Sequence, residues 1–144
     1  MSYVMSRSLG MAVCPKCGRE GRISIAVYDI WGKLACSVYV KHYDGKSKIT
    51  RTCSIGRVKV SDIKLLDKIG DILCLVNTAR MTGYSSIEVS DSVVKIDYKG
   101  FTIVLKVEDG NLIDVNIEYG RIPEHLKPLA SHIANIITTC YKKQ

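Results

Sequence analysis

Apolar and polar residues alternate along several stretches of the chain, which is the pattern of strands with one buried face. Residues 22–28 and 34–43 both alternate in this way. Asp44-Gly45 follows the second stretch and is a strong signal for a two-residue type I′ turn. Residues 46–55 can then return as the paired strand, so the first third of the chain predicts a β-hairpin.

The middle of the chain changes to helical spacing. Between residues 61 and 82 the apolar side chains recur every three or four positions, and Ser61 is a plausible N-cap. Gly70 weakens this helix or splits it in two. A last apolar stripe, over residues 126–140, predicts a second helix.

Between these helices the alternation returns over residues 94–119. Turns at Lys99-Gly100 and at residues 109–111 divide it into three strands. Pairing Ile103 with Ile117 keeps every apolar residue of the last two strands on one face. The segment therefore predicts an antiparallel meander with one wet face.

Together these elements predict an α+β protein. Residues 1–10 are expected to be a flexible tail, 11–58 a β-hairpin module, and 61–144 a two-layer domain. In that domain two helices cover a meander in the order α-β-β-β-α, with a possible fourth short strand. A homodimer would form through residues 61–144.

Charge separates the two halves. Residues 1–60 hold eleven Lys/Arg and three acids, a net charge of +8, whereas the rest of the chain is at −1. A basic half joined to a neutral half favours a polyanion, DNA or RNA, as the partner of the first. The alternative is that the charge serves solubility.

Six cysteines add candidate metal chemistry. Cys14 and Cys17 form a CxxC knuckle in Cys-Pro-Lys-Cys-Gly, and Gly18 relieves the turn. Zn²⁺ needs four N/S ligands in a tetrahedron, so two more must come from later in the chain. A redox CxxC would require a helix opening at its first cysteine, and none is predicted.

The remaining ligands depend on the hairpin register. With a strict two-residue turn at Asp44-Gly45, Cys36 lies opposite Cys53, and both complete a four-cysteine site or form a disulfide. If the strand instead ends near His42, then His42 and Cys53 complete the site.

The runs CPKCGREGRI, VYVKHYDGK and CSIG resemble a zinc-ribbon-like module of small archaeal proteins. The resemblance covers about residues 11–57. It implies a structural zinc held by Cys14, Cys17, His42 and Cys53, and leaves Cys36 outside the pattern. It implies no activity and does not reach the second half, where Cys74 and Cys140 are expected to be buried hydrophobes.

One strand face carries candidate nucleic-acid contacts. Tyr39, Lys41 and Tyr43 alternate on the side of the hairpin away from the metal. Aromatic rings stack on unpaired bases, and cations neutralise phosphates. The predicted interface comprises Arg19, Arg22, Trp31, Lys33, Tyr39, Lys41, Tyr43, Lys46 and Lys48. On the other interpretation, the face is simply solvated and tyrosine favours the strand.

The sequence thus favours a non-enzymatic, zinc-stabilised nucleic-acid-binding protein, for single strands or with weak sequence preference. The alternative is a protein-interaction adaptor with a structural zinc. The chain shows no Walker loop, GxSxG or HExxH motif. The absence of a long apolar run predicts a cytoplasmic protein without a membrane span, and a single Gln beside many Ile and Val favours a thermophilic source.

Overall fold

The alternating pattern forms eight β-strands in the computed structural model, which describes residues 2–141. The strands are β1 (Ser2–Val13), β2 (Glu20–Ile30), β3 (Lys33–Asp44), β4 (Ile49–Val60), β5 (Ser86–Ser90), β6 (Val93–Tyr98), β7 (Phe101–Glu108) and β8 (Asn111–Tyr119). The helices are α1 (Ile72–Met81) and α2 (Lys127–Thr138), with short 3-10 helices at Ile63–Asp67, Glu124–Leu126 and Thr139–Tyr141.

All eight strands belong to one mixed sheet in which spatial order follows chain order. Every neighbouring pair is antiparallel except β4 and β5, which run parallel. These two strands pair at only two positions, Lys59 with Glu88 and Val60 with Val89. The connection between them contains α1, as a parallel crossover requires.

The predicted fold class is therefore wrong. The expected three- or four-stranded meander does not stand apart, because β4 extends to Val60 and joins the N-terminal strands to β5. Residues 2–10, expected in a flexible tail, belong to β1. This strand lies at the edge of the sheet and exposes most of its side chains, so burial imposes little alternation on its sequence. The expected division into a module over residues 11–58 and a domain over 61–144 stays a prediction.

The strand pairing predicted for β7 and β8 is largely confirmed. Ile103 pairs with Ile117 and Leu105 with Val115, as the apolar pattern predicted. Val107 pairs with Leu112, because Asp109 and Gly110 form a two-residue turn with positive φ and the register then shifts by one residue.

The helical segment is split at Gly70, as its sequence indicated. Gly70 has φ of +81°, and a Cβ added at this position would lie 3.3 Å from the Gly110 carbonyl oxygen. Asp62, rather than Ser61, caps the first piece by accepting from the Lys64 N–H, and Asp71 caps α1 by accepting from the Cys74 N–H. Each capping carboxylate satisfies an amide that the helix itself leaves free.

Both helices pack on the same side of the sheet as the apolar residues of β3 to β7. Helix α1 buries Leu75, Val76 and Ala79, and α2 buries Ile133 and Ile137. Leu126 and Leu129, expected in the buried stripe of α2, are exposed. We call the sheet side that faces the helices the core face and the other side the open face. Within residues 2–141, no helix has the length and apolar character needed to cross a membrane.

A disulfide bond between Cys74 and Cys140 links α1 to the last 3-10 helix, with Cα atoms 5.6 Å apart. The expectation that both residues are simple buried hydrophobes is wrong. Their separation of 66 residues gave the sequence no local signal of the pairing. The bond ties the C-terminal end of the described chain to the core-face layer.

We expect reduction of this bond to lower the free energy of unfolding by about 4 kcal/mol, from the entropy of a loop of this size. Thermal unfolding with and without reductant measures the change. A Cys74→Ala/Cys140→Ala double variant is the control, since reductant should not shift its midpoint further. Alkylation of all six cysteines in denaturant without reductant would contradict the bond.

Candidate metal centre

Three sulfurs and one imidazole converge at one end of the N-terminal strands. The ligand atoms of Cys14, Cys17, His42 and Cys53 all lie within 4.8 Å of one another. These four residues are a candidate metal-binding group and agree with the set implied by the zinc-ribbon resemblance.

The β1–β2 connection supplies the knuckle. Cys14 follows the last residue of β1, its N–H donates to the Arg19 carbonyl at 2.8 Å, and its carbonyl accepts from the Gly18 N–H at 2.8 Å. Gly18 has φ of +75°, a conformation that other residues rarely adopt. The turn therefore presents Cys14 and Cys17 toward the same point.

The β3–β4 hairpin supplies the other two ligands from the core face. His42 and Cys53 lie diagonally across the ladder, because Cys53 pairs with Val40 and His42 pairs with Arg51. Diagonal neighbours in a sheet are close enough for such side chains to bind the same metal ion.

His42 is held in a defined orientation. Its Nδ1 donates to the Glu20 carbonyl at 3.0 Å, and its Nε2 lies 3.3 Å from the Cys17 sulfur. A hydrogen bond at one ring nitrogen fixes the tautomer that leaves the other nitrogen free to bind a metal. The side chain is only 7% exposed, so the ring has few other orientations.

The distances between the four ligand atoms can be compared with those around a tetrahedrally coordinated metal ion. Ligands placed 2.0–2.3 Å from a central metal stand roughly 3.3–3.8 Å from each other. The 3.3 Å between the Cys17 sulfur and His42 Nε2 falls in this range, while the four ligand atoms lie within 4.8 Å of one another, with Cys14 buried and Cys17 on the solvent side. The chain thus provides four potential ligands, the number that a structural zinc site requires.

Electrostatics separate the thiols of the cluster. The pKa of Cys17 is lowered to about 7 by a hydrogen bond from the Arg19 backbone, with a smaller contribution from the Arg19 side chain. Desolvation and the neighbouring Cys14 and Cys17 raise the pKa of Cys53 to about 11. Cys17 therefore loses its proton more readily than Cys53, and a metal cation must displace the proton of Cys53.

Cys36 does not belong to the cluster. The register predicted from a strict two-residue turn is wrong, since Cys36 pairs with Val58 and not with Cys53. The alternative, a strand that ends near His42 and is followed by a ligand loop over residues 43–52, leads to the observed group of four residues, but β4 already begins at Ile49 and contains Cys53. Cys36 is completely buried, and burial raises the pKa of its thiol to about 11.

The loop explains the register. Residues 45–48 join the strands, and the Asp44 carboxylate accepts from the Lys46 N–H and the Ser47 hydroxyl. The same bonds lower the pKa of Asp44, the Ser47 hydroxyl contributing most. Lys48 closes the loop with φ of 57°. A bulge at Ile55 then shifts the register by one more residue.

The candidate nucleic-acid residues fall into separate places. Arg22 pairs with Lys41 on β2 and β3, and alternation puts Tyr39, Lys41 and Tyr43 on the open face. We call Arg22, Tyr39, Lys41 and Tyr43 the open-face patch. The Lys41 ammonium lies 5.5 Å from the Tyr39 ring centroid.

The remaining candidates lie outside this patch. Trp31 and Lys33 are at the β2–β3 turn, about 26 Å along the strand from Lys41 at 3.3 Å per residue. Lys46 and Lys48 lie in the 45–48 loop rather than on a return strand, and Arg19 belongs to the metal knuckle. The structure thus does not gather the nine predicted residues into one surface.

Sequence reasoning missed Gly21, which supports the metal centre without being a ligand. A Cβ placed there would lie 2.6 Å from the Lys41 carbonyl oxygen and 2.8 Å from His42 Nδ1. Only glycine allows β2 and the His42 ring to approach this closely. The sequence offered no signal of this role, because Glu20 orients His42 through its backbone carbonyl, which every residue type carries.

The chain matches no family model, no curated protein and no solved structure among those compared. The chemistry of the site and surface must carry the functional argument.

We expect substitutions at the candidate ligands to reduce the metal content of the protein, whereas a substitution at Cys36 should not. Cys14→Ser and His42→Ala should lose stoichiometric metal, because each removes one of four ligands, while Cys36→Ala should keep it. Elemental analysis of the purified variants, normalised to protein, measures this. Full metal content in His42→Ala together with metal loss in Cys36→Ala would contradict the assignment.

Gly21→Ala should weaken metal binding by about 10–100-fold, the usual effect of disturbing a group that orients a ligand. Competition with a chromophoric chelator measures the affinity. Gly45→Ala is the matched control, since its added methyl would meet nothing closer than 4.0 Å. Equal affinities in the two variants would show that His42 does not need this close approach.

Proposed function

We propose that the protein is a zinc-stabilised, non-enzymatic binder of single-stranded nucleic acid. The observation that carries the proposal is the open-face patch, where two cations and two tyrosines share one surface of β2 and β3, on the side of β3 opposite His42. The metal would fix the strands, and the patch would contact the ligand.

The donor set favours zinc. Three thiols and one imidazole match the Cys₃His composition of structural zinc sites, and soft thiolates disfavour Mg²⁺ and Ca²⁺. A four-ligand shell leaves no position for a reactive water, so the metal would serve folding rather than catalysis. Ligands from β1–β2, β3 and β4 mean that one ion would join all four N-terminal strands.

The patch supplies the two contacts that single strands require. Tyr43 is 69% exposed, and Tyr39 is half-buried with its ring beside Lys41. Rings at this exposure can stack on unpaired bases, which contributes about 1–3 kcal/mol per base. Arg22 and Lys41 are exposed and can pair with phosphates between those bases.

The open face continues this positive surface toward β4. Arg57 and Lys59 follow Ser54 on the same side of β4 and lie beside β3. Neither Arg22, Lys41, Arg57 nor Lys59 forms a salt bridge within residues 2–141. Their charge is therefore available to a polyanion.

A second candidate, an adaptor function, has its own observation. Strand β1 lies at the sheet edge and exposes Tyr3, Val4, Met11 and Val13. A protein partner could pair with this edge through backbone hydrogen bonds. Such binding would depend little on salt, whereas phosphate binding falls steeply as salt rises.

We expect the protein to bind an eight-nucleotide single strand more tightly than the corresponding duplex. Arg22→Gln/Lys41→Gln should reduce the salt slope by about 1.4, at roughly 0.7 per phosphate contact on a single strand. Tyr39→Ala should cost about 1–3 kcal/mol of binding free energy and leave the slope nearly unchanged. Fluorescence anisotropy over a salt series measures both.

Lys106→Gln is the control for charge alone, because Lys106 is exposed on β7 and remote in strand order from the patch. It should leave affinity and slope nearly unchanged. If the Lys and Tyr variants bind like the parent protein, the patch is not the binding surface. If no nucleic acid binds at low salt, the adaptor function is the better proposal.

A further inference from the structure

A cleft opens where β4 and β5 separate. The strands pair only at residues 59–60 and 88–89, and before these positions the chain entering β5 diverges from β4. The cleft has a volume of about 520 Å³ and is lined by Ser54, Gly56, Arg57, Lys59, Arg80, Tyr84, Ser85, Ser86 and Ile87. It shares no residue with the metal centre or with the open-face patch.

Tyr84 shapes the floor of the opening. Its hydroxyl accepts from the Arg57 N–H at 3.3 Å and takes the place of a strand partner there. A Cβ at position 56 would lie 2.9 Å from this hydroxyl and 2.5 Å from Val76, so the close approach depends on Gly56. The cleft is thus built by the packing of α1 and its following turn against β4.

Three cations line the cleft, from two elements: Arg57 and Lys59 from β4, and Arg80 from α1. No acidic residue is among the lining residues, and within residues 2–141 none of the three cations forms a salt bridge. Like charges gathered without counter-ions repel one another, and a bound anion relieves that repulsion.

Two acidic residues of the neighbouring strands, Asp97 and Glu88, form no salt bridge with these cations. Asp97 already accepts from the hydroxyls of Ser86 and Thr102, one on each oxygen. Glu88 stands opposite Lys59 in the strand register, yet the pair does not come within salt-bridge distance.

Arg80 has unused hydrogen-bonding capacity at this site. One terminal nitrogen donates to Asn77 Oδ1 at 2.7 Å, while the Nε is buried and has no partner among the described residues. The described residues therefore satisfy only part of the donor capacity of the Arg80 guanidinium. Oxyanions match the fork of guanidinium donors.

We propose that this cleft binds a phosphate group, with Arg80, Arg57 and Lys59 as its cationic partners. The phosphate can belong to a free phosphorylated small molecule or to a polynucleotide backbone, since both present the same oxygens. The proposal does not require base stacking on the open-face patch, so it goes beyond the function proposed above.

Titration of the full-length, metal-loaded protein with inorganic phosphate, adenosine monophosphate and adenosine tests the proposal. Amide chemical shifts provide the readout. Phosphate and the monophosphate should shift resonances of residues 54–59 and 80–87, and adenosine should not. Arg80→Gln and Lys59→Gln should each weaken binding about tenfold or more, because each loses a charge-assisted contact.

Two further variants guard against a folding defect. Ser54→Asp keeps every cation and places a carboxylate on an exposed position of the cleft, so it should weaken binding at least as strongly. Lys95→Gln removes an exposed cation from β6, outside the cleft lining, and should bind like the parent protein. Phosphate binding that is undetectable, or that is equal in the parent protein and all cleft variants, would overturn the proposal.

The source of the phosphate follows from competition with an eight-nucleotide strand. If the monophosphate displaces the strand and Arg80→Gln weakens both, the cleft takes backbone phosphates. If the monophosphate binds while the strand binds independently of Arg80, the cleft serves a free phosphorylated ligand. Tyr39→Ala should leave monophosphate binding unchanged, so failure of the patch and failure of the cleft are distinguishable.

Discussion

The register of the β3–β4 hairpin is the constraint on which the N-terminal half depends. The Asp44 carboxylate organises a four-residue loop, and that loop sets Val40 opposite Cys53. Side chains alternate between faces, so a shift of one residue would turn Cys53 to the open face. The same register sends Cys36 into the core beside Val58. One turn therefore decides which sulfur can meet His42 and which is buried.

This dependence also shows where the sequence was sufficient. The CxxC knuckle and the His–Cys pair were recognisable from residue types and from the resemblance, and in β7 and β8 apolar alternation predicted pairing because both strands bury one face. The hairpin loop was not predictable from Asp44-Gly45 alone, since the side-chain bonds to residues 46 and 47 compete with a tighter turn. The single sheet was missed because its junction is a two-residue parallel contact, which leaves no pattern in the chain.

The two faces of the N-terminal strands divide the chemistry. The core face carries His42, Cys53 and the apolar residues, and the open face carries the patch. Because the same backbone holds both, an ion that fixes His42 also fixes Lys41 and Tyr43 on either side of it. Loss of the ion would free the hairpin end and weaken the patch without removing any of its residues. A bound metal would thus be coupled to this surface through strand β3 rather than by direct contact.

Six cysteines in three chemical environments must coexist in this chain. The cluster thiols bind a metal only when reduced, whereas Cys74 and Cys140 are oxidised to a disulfide. The two sets stand on different elements, since the disulfide joins α1 to the last 3-10 helix and the cluster is built on the β1–β2 connection, β3 and β4. Cys36 is excluded from exchange in another way: burial raises the pKa of its thiol to about 11, and the protonated thiol is a poor nucleophile. Cys17, the exposed thiol with the lowered pKa, is then the reactive member, and a bound metal would protect it by occupying its sulfur. A bound metal would thus prevent Cys17 from exchanging with the Cys74–Cys140 disulfide, and it would also stabilise the packing of the N-terminal strands.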